Sequence, residues 1–246
     1  ATAVSAVTPT ATGTNAVALG SGAVASGALS FAFGSSGSNA AISSGSQSIS
    51  MGSYSRAYGS TSISMGYGAE VSSAASGGVA IGQNSRAAGN YAVALGTSRA
   101  SGTHSFAAAI GNNSSSYGAT SSFSVAIGNL AKSTGNASIA IGGEAVATTS
   151  GSLAIGYQNE ASSFHSVAIG RNAKSVIRGK HAYGTDQIYG KGEMQAGLFI
   201  MLSDTTDATS EALTTNNGSA SSNNQVILPN NSAYSFSGTI IARQQA

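Results

Sequence analysis

Residues able to do acid–base, nucleophilic or metal chemistry are few and scattered in this 246-residue sequence, which has three histidines, eight carboxylates and no cysteine. Serine is abundant, but a serine hydrolase needs a sharp Gly-x-Ser-x-Gly turn with a histidine and a carboxylate converging on the hydroxyl, and no such turn occurs. His104 and His165 each fall just before a recurrent apolar unit, where Asn15, Asn90 and Asn136 stand in other copies, so a polar turn role outweighs catalysis. Three copies of either histidine around an axis could chelate an ion, yet a lone turn histidine is usually solvated, and neither metal nor cofactor is expected. Asp204 and Asp207 lack the dense carboxylate spacing of a calcium loop. Gly20-Ser21-Gly22 lacks the third glycine and the following helix of a dinucleotide site. The expectation is a protein that is not an enzyme.

Other residue types suit binding. Arg171, Lys174, Arg178, Lys180 and Lys191 hold half of the ten Lys and Arg. They suggest a neck that caps the repeats and pairs with Asp186 or Glu193 of a neighbouring chain, with polyanion binding, as to lipopolysaccharide, ranked second. Receptor contacts belong on turns and insertions, where change does not break a repeat. Tyr54, Arg56, Tyr58, Tyr67, Arg86, Tyr91, Arg99, Tyr117 and Tyr157 are the candidates, since Tyr and Arg are frequent contact residues. The long intervals from Gly34 to Ile49 and from Gly111 to Val125 are the candidate insertions.

Charged residues make up only 7% and the net charge is +2, so no dense basic face for nucleic acid is expected. The longest apolar run, Leu198 to Leu202, falls far short of the roughly 20 residues of a membrane span. The abrupt start at Ala1 and the end at Ala246 suggest a fragment of a longer protein.

What must position these residues is a repeat. A unit of apolar, small, apolar and Gly recurs as Val17-Ala18-Leu19-Gly20, Phe31-Ala32-Phe33-Gly34, Ile49-Ser50-Met51-Gly52, Ile63-Ser64-Met65-Gly66, Val79-Ala80-Ile81-Gly82 and Val93-Ala94-Leu95-Gly96. It continues as Ala108-Ala109-Ile110-Gly111, Val125-Ala126-Ile127-Gly128, Ile139-Ala140-Ile141-Gly142, Leu153-Ala154-Ile155-Gly156 and Val167-Ala168-Ile169-Gly170. The glycines step by 14 residues as the ground period, with longer intervals of 15 to 18. Period-2 alternation makes each unit a strand, and the glycine allows the positive φ of a turn. A weaker strand of small residues lies between units, as at Ser85-Arg86-Ala87 and Ala145-Val146-Ala147. Two strands and two turns in 14 residues describe one rung of a solenoid.

Each rung carries about two large aliphatics, worth roughly 1.5–3 kcal/mol apiece when buried, against roughly 1–2 kcal/mol per residue to order the backbone. A lone roll this thin is therefore expected to need identical companions along a shared axis, with the large aliphatics as the structural core.

The units resemble the head repeats of trimeric autotransporter adhesins, and that resemblance implies a left-handed parallel β-roll assembled as a homotrimer. The last seventy residues, including Asn224 to Arg243, are similar to segments near the C-terminal end of bacteriophage tail-fibre proteins. Together these predict an all-β chain: a leader at 1–15, a β-roll at 16–175, a neck at 176–203 and a small, incomplete β-domain at 204–246, with strands at Gln225–Leu228 and Tyr234–Ile241. The preferred expectation is a virion tail fibre for host attachment. It would partner itself, other fibre or tail proteins and a bacterial surface receptor, a glycan or outer-membrane component, with no nucleic acid and no membrane insertion. The alternatives are an adhesin head on a bacterial surface and a mechanical spacer.

Overall fold

The computed structural model describes residues 7–34, 39–112, 114–205, 209–228 and 233–241. It is a parallel β-solenoid whose strands alternate between two sheets. The first three are β1 (Thr10–Ala11), β2 (Val17–Leu19) and β3 (Val24–Ala25). Odd-numbered strands to β23 (Lys174–Ser175) stack into a 12-stranded sheet, and even-numbered strands to β24 (His181–Asp186) build a second sheet. Each strand pairs in parallel with its counterpart one rung away, so Ile139, Ala140 and Ile141 lie beside Leu153, Ala154 and Ile155. At about 4.8 Å per rung the stack is a rod of roughly 50 Å.

The period-2 alternation expected from sequence is present, but it points the opposite way from a conventional core. Ala80, Ala94, Ala126, Ala140, Ala154 and Ala168 are fully buried between the sheets, joined by Ser50 and Ser64. Short strands between tight turns leave a narrow interior that takes small side chains at nearly every rung, with the branched Val71 and Ile110 as exceptions. The large aliphatics expected as the structural core line the outer face of the single chain, where only companion chains could bury them: Val17, Leu19, Phe33, Ile49 and Ile81 are exposed. Phe31, Met51, Ile63, Met65, Val79, Val93, Leu95, Val125, Ile127, Ile139, Ile141, Leu153, Ile155, Val167 and Ile169 are half-buried. Ile110 alone of that set is fully buried.

Ile110 also marks a register error in the sequence reading. The strand there is Phe106–Ala108, with Phe106, Ala107 and Ala108 beside Val93, Ala94 and Leu95. The unit written as Ala108-Ala109-Ile110-Gly111 is therefore displaced. Ala107 fills the interior position, and Ala109 takes the positive-φ turn (φ 55°) that glycine takes elsewhere. The roll also runs further than 16–175: Thr10 and Ala11 pair with Val24 and Ala25, and His181-Ala182-Tyr183-Gly184 forms a further rung on Val167 to Gly170.

Serine has a recurrent job that spacing alone did not disclose. Ser48, Ser62, Ser105 and Ser138, each just before a strand, donate to the carbonyl of the residue three positions earlier, at 2.6–2.7 Å. These bonds close the turn and satisfy a hydroxyl inside the roll. Glycine serves in two ways. Gly142 sits at φ 118°. Gly45 allows close stacking, since a Cβ there would run into the carbonyl of Gly59 one rung on.

The end of the stack is capped. Strand β25 (Met194–Leu198) returns antiparallel on β24 and covers the edge of the even-numbered sheet. For the other sheet, Gln195 replaces a strand: its Oε1 accepts from the Lys174 N–H at 2.8 Å and its Nε2 donates to the Lys174 carbonyl at 3.1 Å. Beyond it, an isolated antiparallel bridge joins Leu202 to Thr214. The strands expected at Gln225–Leu228 and Tyr234–Ile241 are not formed. Their apolar residues, with Ile240 and Ile241 nearly fully exposed, have no sheet to join. The expected turn at Pro229-Asn230-Asn231 and the loop residue Asp207 lie outside the described residues.

Candidate interaction surfaces

Because the interior is lined mostly by small side chains, with Val71 and Ile110 as exceptions, most larger ones are displayed outside, sorted by the register into rows one rung apart. The outer face of the even-numbered sheet carries two apolar rows. One runs Val79, Val93, Phe106, Val125, Ile139, Leu153 and Val167, and the other Ile81, Leu95, Ala108, Ile127, Ile141, Ile155 and Ile169. An unbroken apolar stripe along a rod is a surface that water does not favour leaving open.

The outer face of the odd-numbered sheet is different. Its row reads Arg56, Glu70, Arg86, Arg99, Gly118, Lys132, Val146, Glu160 and Lys174. Arg86 pairs with Glu70 at 3.1 Å. Arg99, next to Arg86, forms no ion pair among the described residues, and the Nε of both arginines is buried without a hydrogen-bond partner. Burial, and secondarily the Arg86 charge, lower the pKa of the Arg99 guanidinium, while Glu70 acts the other way.

The candidate contact residues divide among distinct places. Arg56, Arg86 and Arg99 share the charged row, with Tyr58 half-buried just beyond Arg56. Tyr54 sits at a corner (φ 59°), edge-on to Tyr67 at 5.6 Å and under the Arg56 guanidinium at 5.7 Å. Tyr91 opens a stack at the opposite corner: His104 lies 4.8 Å from it, and Phe123 5.4 Å further along. His104 and His165 both adopt φ 54° there, as Asn15 does at φ 56°. Asn90 and Asn136 fall one residue before that position, which Tyr91 (φ 55°) and Ala137 (φ 51°) occupy. Tyr117 packs on the interior at the widened rung, and Tyr157 lies under Arg171 at 6.0 Å. Sequence reasoning passed over Glu70, Phe123 and Lys132, which become neighbours of the candidates only through the register.

Arg171, Arg178 and Lys180 of the basic neck have partners within their own chain. Arg171 pairs with Asp186 of the same protomer at 3.3 Å. Glu193 accepts from the N–H groups of Ile188 and Tyr189 at 2.9 and 2.7 Å, and these backbone bonds hold its carboxyl below the ordinary range. Arg178 lies over Phe164 at 5.6 Å. Lys180, its pKa lowered by burial, lies over Phe199 at 5.6 Å and donates to the Lys174 carbonyl at 3.3 Å.

These surfaces, two-strand rungs with small residues inside and sorted rows outside, define a repeat head of fibrous type. Residues 11–36, 43–69, 74–98, 119–145, 133–159 and 147–173 match the YadA head domain repeat, more than half of the chain, and the chain belongs to that family. The unmatched gaps within this span fall at irregular rungs, where the register pairs Phe31 with Ile49, Ile63 with Val79 and Phe106 with Val125. A comparison with curated proteins gave no match. The matched segments stop short of the last seventy residues, so the tail-fibre resemblance gains no support.

Proposed function

We propose that this chain is a head segment of a trimeric adhesin on a bacterial surface, a non-enzymatic fibre that presents binding surfaces at a distance from the cell. The observation that carries this reading is the apolar stripe on the even-numbered sheet. It runs the length of the matched repeats, and a second and third copy packed in parallel would cover it. Heads of this family are homotrimeric in general, and bacterial surface exposure fits them. The charged and aromatic rows then face outward, where contacts with host matrix or cells belong.

Sedimentation of the purified chain tests the assembly: a mass of three chains is expected, and a monomer at micromolar concentration would overturn the reading. Adsorption of trimer-coated beads to matrix-coated surfaces tests adhesion. Beads that stay unbound at high coating density would reduce the segment to a spacer.

A further inference from the structure

We propose that the outer face of the odd-numbered sheet around Arg99 and Lys132 binds sulfate or carboxylate groups of a linear acidic polysaccharide. Between Glu70 and Val146 the row holds Arg86, Arg99, Gly118 and Lys132, three cations in four successive rungs. The one carboxylate in reach, Glu70, is already paired with Arg86. Arg99 and Lys132 stand on either side of Gly118, a position where a Cβ would collide with the Arg99 carbonyl, so no side chain stands between the two cations in the row. The backbones that carry the two cations are two rungs, about 10 Å, apart, a span that one oxyanion between two long side chains can bridge. The buried Nε of Arg86 and of Arg99 has no hydrogen-bond partner within the chain, so the chain leaves these guanidinium groups incompletely satisfied. A fold that crowds cations and leaves them without a counter-charge destabilises itself unless an anion from outside completes the set.

Geometry favours an extended ligand over a compact one. The row follows the rod axis, with cations at Arg56, Arg86, Arg99, Lys132 and Lys174 against carboxylates at Glu70 and Glu160. Beside it lie Ser101, Thr120 and Thr134, half-buried hydroxyl residues suited to sugar hydroxyls. The face is open, and a polymer lying along it would meet several charges at once. This inference rests on the adhesin reading only in requiring that this face, and not the apolar one, stay free of partner chains.

The test uses the full chain flowed over immobilised dextran sulfate, with carboxymethyl dextran and unmodified dextran as the carboxylate and uncharged arms. The chain is expected to bind one or both charged polymers and to ignore dextran. Arg99→Gln and Lys132→Gln should each weaken binding about tenfold, while Lys191→Gln, the same charge loss outside the row, should change it less than about twofold. Equal losses in all three variants, no loss in the first two, or tighter retention on duplex DNA would overturn the proposal. Thermal unfolding confirms that each variant is folded, and if Arg99→Gln is not, Lys132→Gln alone decides. A trimer without polyanion binding sinks this site and leaves the adhesin reading standing, whereas a monomer that binds sinks only the latter.

Discussion

The two outer faces of the roll are separated by a thin interior made mostly of alanine and serine, yet they have opposite chemistry. One is a continuous aliphatic stripe with Ile139 and Ile141 at its middle, and the other a charged row flanked by hydroxyl residues, with Lys132 and Val146 at the same level. A chain with an ordinary core keeps its large aliphatics inside and can stand alone. Here the interior is filled by methyl and hydroxyl groups, and the aliphatic surface is left over for association. The proposed function places assembly on one face and recognition on the other.

The largest effect should come from charging the apolar face. Ile141→Asp places one unpaired carboxylate per chain in the seam, at a cost of about 3 kcal/mol or more per chain, and sedimentation should show the trimer dissociating. The same change on the other face, Val146→Asp, puts the carboxylate between Lys132 and Glu160 on a partly exposed row and should leave the mass unchanged. If both variants dissociate, or neither does, the division between faces fails.

One residue from Ile141, the inward Ala140 should respond to size instead of charge. Ala140→Leu overpacks a fully buried site and should destabilise by about 3 kcal/mol, read as an earlier thermal transition with loss of sheet signal by circular dichroism. A variant as stable as the parent would show a wider interior than the burial of Ala140 implies.

Smaller changes sharpen the picture. Arg86→Ala removes a partly exposed ion pair with Glu70 and should cost about 0.5 kcal/mol by chemical denaturation, with assembly intact. A loss several times greater would mean that Arg86 reaches into another chain. The smallest effect concerns pH. Backbone donors depress the Glu193 carboxyl, so its contribution is fully present above the unfolded glutamate value of about 4.3 and fades as pH falls through the lower folded value. Protection of the Ile188 and Tyr189 amides, corrected for the intrinsic fall of exchange rate with pH, should diminish over that acid range while that of strand amides in the roll does not.

Much of the fold was legible because its signals are local. The glycine at each turn, as at Gly82 (φ 115°) and Gly128 (φ 115°), and the alternation of Val79, Ala80 and Ile81 need only neighbouring residues to be recognised. The slip at Phe106 arose because Ala109 occupies a turn normally held by glycine, so the pattern fitted equally well a little further along. The Gln195 cap was not legible, because it joins residues 21 positions apart through a side chain that imitates a strand. Of the candidate contacts, the residue types were evident but not their grouping. Arg86 and Arg99 look unrelated until the register places them side by side.

The sequence by itself determined that this protein is a stack of two-strand rungs, since period-2 alternation punctuated by glycine admits no helix and little else. It could not determine which side of each strand turns inward, because alternation is symmetric between the two choices. The tertiary structure decided that through the width of the roll, which admits Ala140 and excludes Ile141, and so made the large aliphatics a surface.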